Sequence, residues 1–142
     1  MPAIRVAAIS NSPSFLADVQ HSFATHASFD FVGSCTRKGL RRLVAARRPD
    51  VLLVDGRIER PLNVCSRVRR DCPPWIVMLA DEARELVEFR DLWKMAALAA
   101  GARGVLGRGS IASELVDAVR EVQGGRFWGP PALVDRVIER GV

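Results

Sequence analysis

Short runs of apolar residues alternate along the chain with segments in which apolar residues recur every three or four positions. The first pattern predicts β-strands and the second predicts amphipathic helices. The predicted strands are residues 4–9, 29–34, 51–54, 75–79 and 104–106. The predicted helices begin after Ser12, near Leu40, near Leu62, near Asp81 and after Ser110. Five strands therefore alternate with five helices.

Residues typical of helix ends support several of these boundaries. Ser12-Pro13 combines a side chain that caps helices with a proline at the first helical position. Ser110 is a second candidate cap, and Gly101 is typical of a helix end. The third helix is predicted over about 62–70, before Pro73-Pro74, and the fourth within 81–100.

The run Val51-Leu52-Leu53-Val54 has no polar break, which is typical of a strand covered on both faces. Alternating strands and helices then predict an α/β fold, with an open, doubly wound parallel sheet flanked by helices. In such sheets the functional crevice lies beyond the carboxyl ends of the strands. The residues at those ends are Ser10, Asn11, Asp55, Ala80 and Arg108.

The length of 142 residues predicts one domain, and 49% hydrophobic residues fit a globular protein. No apolar run approaches the ~18 residues that span a bilayer, so no membrane association is expected. Three cysteines without a CxxC pair argue against a disulfide framework or a zinc site and favour the cytoplasm. No glycine-rich phosphate loop and no nucleophile–base arrangement is present, so no catalytic residue is predicted. A small flavodoxin-like enzyme or cofactor binder is kept as an alternative of another class.

Four segments share a resemblance to one family. Residues 49–58 (PDVLLVDGRI) resemble the phosphoacceptor strand of bacterial response-regulator receiver domains. Residues 100–108 are similar to their fifth strand, and residues 111–125 to their last helix. Residues 127–130 (FWGP) resemble the linker of the NarL/LuxR-type subfamily, which carries a helix-turn-helix output domain. The resemblance implies a flavodoxin-like (CheY-like) sheet with strand order 2-1-3-4-5 and a phosphoacceptor at Asp55.

The same resemblance divides the chain into a receiver-like domain, 1–126, and a linker with a C-terminal helix, 127–142. The remainder after Pro130-Pro131 is too short for a helix-turn-helix domain. We therefore expect either a stand-alone regulator or the receiver part of a longer transcription factor, which would contact DNA only through an output domain.

The chain departs from the family at the positions that support phosphorylation. Ser10 and Asn11 replace the acidic pair that holds Mg²⁺, and Ala80 replaces a threonine or serine. Arg108 replaces a lysine, and Val105 replaces an aromatic switch residue. These departures predict weak or absent Mg²⁺ binding, no other cofactor, and control by a ligand or protein instead of phosphate. A working phosphoreceiver that uses Asn11 and Arg108 differently is the alternative.

With the acidic pair gone, Arg108 could reach Asp55. We hypothesise an Asp55–Arg108 ion pair that holds the domain in one conformation without phosphate. A small molecule that binds in the altered pocket is a further possibility.

Charge is distributed unevenly along the chain, which carries +5 overall. Residues 37–70 hold eleven bases against three acids, and we expect them on one solvated or protein-binding face. Direct contact with nucleic acid through these bases is kept as an alternative. Residues 81–91 hold five acids against two bases, which predicts a solvated or partner-binding helix face. The family implies a protein partner or homodimer through the face of the fourth helix, fifth strand and fifth helix.

Overall fold

A computed structural model of the chain describes residues 2–68, 73–81 and 87–139. Its five strands are β1 (Ile4–Ile9), β2 (Phe29–Cys35), β3 (Val51–Asp55), β4 (Trp75–Ala80) and β5 (Gly104–Gly107). They form one parallel sheet in the order β2-β1-β3-β4-β5. The α/β class, the five strands and the order 2-1-3-4-5 are confirmed.

The α-helices are α1 (Pro13–Ala24), α2 (Leu40–Arg47), α3 (Val87–Ala100), α4 (Ile111–Gln123) and α5 (Pro131–Glu139). The third predicted helix is not an α-helix. Its described part, Pro61–Arg67, is a 3-10 helix. Asn63, Val64, Cys65 and Ser66 are weak helix formers, which accounts for the difference. Residues 69 and 70 of that prediction lie outside the described residues. The predicted fifth helix is α4, and the predicted fourth helix is α3, which is described from Val87. Asp81 is not helical, and residues 82–86 of that prediction lie outside the described residues.

Of the two serines predicted to cap helices, only Ser12 does so through its hydroxyl. The hydroxyl of Ser12 accepts a hydrogen bond from the backbone N–H of Phe15 at 3.3 Å, and Pro13 opens α1, as predicted. Ser110 precedes α4, but its hydroxyl caps no backbone N–H, so that prediction is wrong. The reason is a 3-10 turn, Arg108–Ser110, which leads directly into the helix.

The sheet is covered on both faces, as the apolar run of β3 predicts. All five residues of β3 are buried. Helices α1 and α4 pack on the face that presents Leu53, whereas Leu52 on the opposite face packs with residues of α2, the 3-10 helix, α3 and α5. Among the described helices, none is long and apolar enough to cross a membrane.

The segment after α4 packs back onto the sheet. Trp128 forms a parallel bridge with Gly104, and its carbonyl accepts the N–H of Val105 at 2.9 Å. The guanidinium of Arg103 lies 4.7 Å from the ring centre of Trp75 and 5.0 Å from that of Phe127. Helix α5, expected from the apolar spacing after Pro131, follows and contacts α3. Part of the face predicted for partners is therefore covered by the chain itself.

Candidate functional site

Ser10, Asp55, Ala80 and Arg108 come together at one edge of the sheet, because β1, β3, β4 and β5 run parallel and end there. Asp55 is the last residue of β3 and is 1% exposed. A carboxylate at that depth needs hydrogen bonds or an opposite charge, because burial removes its hydration. Its partners therefore define the site.

Both oxygens of the Asp55 carboxylate are engaged. The Ser10 hydroxyl, itself buried, donates to Oδ2 at 2.7 Å. The backbone N–H of Arg57 donates to Oδ1 at 3.0 Å. Ser10 is held in place because its Oγ accepts the N–H of Ser12 at 2.9 Å. The start of α1 thus orients the hydroxyl that binds the carboxylate.

Arg108 supplies the opposite charge. Its Nη1 lies 3.2 Å from Asp55 Oδ1, and the Arg108 side chain is 15% exposed. Its guanidinium carbon lies 5.0 Å from the ring centre of Phe15, within the range of a cation–π contact. The predicted Asp55–Arg108 ion pair is therefore present. An aromatic side chain from α1, which the sequence did not point to, supports it.

Gly56 brings the chain close to β4 directly after Asp55. Its N–H donates to the carbonyl of Leu79 at 2.8 Å. A Cβ at this position would lie 2.5 Å from that same carbonyl oxygen. Only glycine fits here without moving β3 and β4 apart, and this close approach sets the position of the Arg57 N–H.

We expect Gly56→Ala to lower the free energy of unfolding by about 2 kcal/mol, since an added methyl must displace backbone in a packed region. Urea unfolding monitored by circular dichroism measures the change. Gly109→Ala is the matched control, because a Cβ at Gly109 meets nothing within 4 Å. Equal effects of the two substitutions would contradict this account of Gly56.

A second ion pair lies beside the first, and sequence reasoning missed it. Arg57 Nε donates to Asp81 Oδ2 at 2.6 Å, and Arg57 Nη2 donates to Oδ1 at 3.2 Å. These hydrogen bonds, with the charges of Asp81 and Asp55, raise the pKa of Arg57 further above its usual value, against a smaller opposing effect of burial. The pair ties the turn after β3 to the end of β4.

This pair corrects two predictions about charge. Asp81 was assigned to a solvated acidic face, but it is 7% exposed and faces Arg57. Arg57 is one of the eleven bases of residues 37–70 that are expected on a solvated or protein-binding face, but its charge is paired with Asp81. The available signal was positional, because Asp81 directly follows β4 and Arg57 lies two residues after β3, and these strands are neighbours.

The other predicted positions take no direct part in binding Asp55. Asn11 is exposed, and the hydrogen bonds of the described residues include none between it and Asp55. Ala80 is buried opposite Gly107 at the same edge and offers no hydroxyl. Val105 is buried within β5, at the strand edge that Trp128 covers.

Comparison with solved structures relates this arrangement to known proteins, although no protein-family profile and no curated protein matches the sequence. The apo receiver domain of RcsB from Salmonella enterica serovar Typhimurium is 18% identical, with a TM-score of 0.77, and the match covers 96% of this chain and 98% of that one. The receiver domain of the putative response regulator NarL from Mycobacterium tuberculosis is 27% identical, with a TM-score of 0.72 over 89% of this chain and 100% of that one. A LuxR-family response regulator from an Aurantimonas species is 19% identical, with a TM-score of 0.73 over 97% of both chains.

The chain has the fold of a response-regulator receiver domain. Its structural neighbours are receiver domains of NarL/LuxR-type regulators, as the resemblance of residues 49–58 and 100–130 implied. The agreement extends over nearly the whole chain, including the segment after α4.

The resemblance to receiver domains implies a Mg²⁺ ion at this edge of the sheet, where the described carboxylates are instead bound by basic groups and a hydroxyl. Mg²⁺ is held by carboxylates, waters and phosphate oxygens. Here Asp55 is bound by Ser10, Arg57 and Arg108, and the neighbouring Asp81 is bound by Arg57. A guanidinium beside the carboxylate repels a cation. Among the described residues, no three His, Cys, Asp or Glu side chains converge on a common point.

Proposed function

We propose that the chain is the signalling receiver module of an atypical response regulator, controlled without phosphorylation of Asp55. It regulates transcription through an output domain or a partner protein. The observation that carries the proposal is the Asp55–Arg108 ion pair at 3.2 Å. The fold supports the receiver role, and the altered pocket supports the mode of control.

Phosphoryl transfer to a carboxylate needs a free oxygen as nucleophile and a cation that neutralises the phosphoryl oxygens. In Asp55 neither oxygen is free, because Ser10 binds one and Arg57 and Arg108 bind the other. Arg108 places its own positive charge against Asp55. The ion pair therefore substitutes for the contact that a phosphoryl group would make with a cation at this position and holds one conformation.

This role needs protein contacts and no catalysis, so we assign no enzymatic activity and no cofactor. The three cysteines without a CxxC pair support a cytoplasmic location. Partner contact is best supported at α3 and α5. Among the described residues, the large hydrophobic side chains left most exposed are Leu92 on α3 and Ile138 on α5, at 64% and 56%. Of these two helices, α3 belongs to the predicted partner face, and α5 contacts α3. A small ligand would find room in a cleft of about 360 Å³ beside it, lined by Val105, Trp128 and Pro130 among others.

The test is to treat the protein with acetyl phosphate, or with beryllofluoride, in the presence of Mg²⁺. We expect no phosphoryl mass increment by intact mass spectrometry and no shift in melting temperature, because the ion pair blocks both Mg²⁺ and the nucleophile. Asp55→Asn is the matched control. A mass increment in the native chain that Asp55→Asn abolishes would establish the alternative, a working phosphoreceiver with a modified pocket.

A further inference from the structure

Helix α2 and the turn before it carry a dense and uniform positive charge. Residues 37–48, with the sequence RKGLRRLVAARR, contain six bases and no acid. Five of these side chains are exposed, and we call them the α2 basic surface: Lys38, Arg41, Arg42, Arg47 and Arg48. Like charges this close together repel each other, and contact with an anion would relieve that repulsion.

The charges of the α2 basic surface are not neutralised within the described part of the chain. The ion pairs there involve other arginines, at positions 5, 57, 108, 120 and 126. The guanidinium of Arg5, which pairs with Asp30, donates to the carbonyl of Arg47 at 2.6 Å and so lies at the end of α2. The surface is therefore available to an external partner.

The charge lies on both flanks of α2. On one side, Arg41 and Arg67 line a mainly apolar groove of about 280 Å³, floored by Leu40 and Val44. On the side of β2, Arg42 and Arg47 line a second groove. A partner that neutralises both flanks must extend across the helix.

We propose that the α2 basic surface binds the phosphate backbone of duplex DNA without sequence preference. Arginine suits this role because its planar fork matches phosphate oxygens. The exposed residues between the two arginine pairs are Ala45 and Ala46, and their small size allows a backbone to approach closely. The absence of an aromatic residue from 37–48 argues against stacking of single-stranded bases. This contact uses no residue of the Asp55 site and is separate from any output domain.

An acidic peptide that inserts an apolar side chain beside Leu40 is the competing partner. Such a peptide would meet Arg41 and Arg67 at the rim of its groove. It would leave Arg42 and Arg47 on the opposite flank without an anion. An extended phosphate backbone engages both flanks, which is why we favour DNA.

The test measures fluorescence anisotropy of a labelled 30-base-pair duplex of arbitrary sequence against the full chain at several salt concentrations. We expect a dissociation constant of about 10⁻⁶ to 10⁻⁵ M at low salt, and a slope of log affinity against log salt of about −4.5, from five phosphate contacts. A scrambled duplex should bind equally well. No binding at the lowest salt concentration would overturn the proposal.

Two double variants with the same change in net charge locate the contact. We expect Arg42→Gln/Arg47→Gln to weaken binding by about tenfold and to reduce the salt slope by about 2. Arg120→Gln/Arg126→Gln, which removes two exposed arginines paired with Asp117 and Glu121, should change affinity little. Equal losses in both variants would mean diffuse attraction and would reject the α2 basic surface as the site. Circular dichroism verifies that each variant is folded.

A labelled 20-residue peptide of alternating glutamate and leucine tests the competing partner. Under the proposal it binds more weakly than the duplex at equal salt. The opposite result would be tighter binding of the peptide, lost in Arg41→Gln/Arg67→Gln but retained in Arg42→Gln/Arg47→Gln. It would show that the apolar groove docks a protein, and it would overturn the assignment to DNA.

Discussion

Replacing Arg108 with alanine is expected to lower the free energy of unfolding by about 3 kcal/mol, because removing one member of a buried ion pair leaves the other charge uncompensated. Asp55, which is 1% exposed in the native protein, would keep its hydrogen bonds from the Ser10 hydroxyl and the Arg57 N–H but would lose its positive partner. Chemical denaturation at neutral pH, followed by circular dichroism, measures the loss. Arg120→Ala is the control, since Arg120 is 49% exposed and 3.9 Å from Asp117. Exposed pairs of that kind contribute about 0–1 kcal/mol.

The double variant Asp55→Asn/Arg108→Ala separates charge from packing. We expect it to recover about half of the loss, because the asparagine amide is neutral and can still hydrogen-bond to Ser10 and Arg57. A double variant as unstable as Arg108→Ala alone would show that the guanidinium acts through its contact with Phe15 and not through the carboxylate. That outcome would also remove the main support for control by the ion pair.

Phe15→Ala is the second substitution with a large expected effect, with a loss of about 3–5 kcal/mol in the free energy of unfolding. The Phe15 side chain is 0% exposed and packs with β1, β3, β4 and α4 residues in one core cluster, beneath the guanidinium of Arg108. Its loss opens a cavity and removes the aromatic face that supports the ion pair. The midpoint of urea unfolding and its slope report the change.

Phe15→Leu divides that effect into two parts. Leucine keeps most of the apolar volume but has no aromatic face, so we expect a loss of about 1.5 kcal/mol. Combining it with Arg108→Ala should give less than the sum of the single losses, because the Phe15–Arg108 contact is removed only once. Strict additivity would show that the ring and the guanidinium do not interact.

The boundaries of strands could be predicted closely from local pattern. The apolar run 51–54 indicated a strand covered on both faces, and β3 spans Val51–Asp55 with every residue buried. Ser12 and Pro13 placed the start of α1, because capping depends on residues that are adjacent in sequence. Two local predictions were wrong. The segment 61–67 is a 3-10 helix, and the Ser110 hydroxyl does not cap α4.

Part of the site could also be predicted, and the rest could not. Parallel strands bring their carboxyl ends together, so Ser10, Asp55 and Arg108 were expected at one edge of the sheet. The replacement of the acidic pair implied by the resemblance indicated that Arg108 could pair with Asp55, and the structure contains this pair. The pairing of Arg57 with Asp81 depends on how the turn after β3 lies against the end of β4. The positions of Arg57 and Asp81 after neighbouring strands were a signal that they could meet, but they did not show that the Asp81 carboxylate is buried.

The fold class and the edge of the sheet that holds the site follow from residue type and periodicity along the chain. The chemistry missing from that edge is implied by the resemblance of the sequence to receiver domains. The tertiary structure decided which charges are neutralised. It buries Asp81 against Arg57, places Phe15 beneath Arg108, and leaves the arginines of α2 without an ion pair among the described residues. The physical reason is that burial and pairing of a charge depend on side chains distant in sequence, whereas the formation of a strand or helix depends mainly on its own pattern.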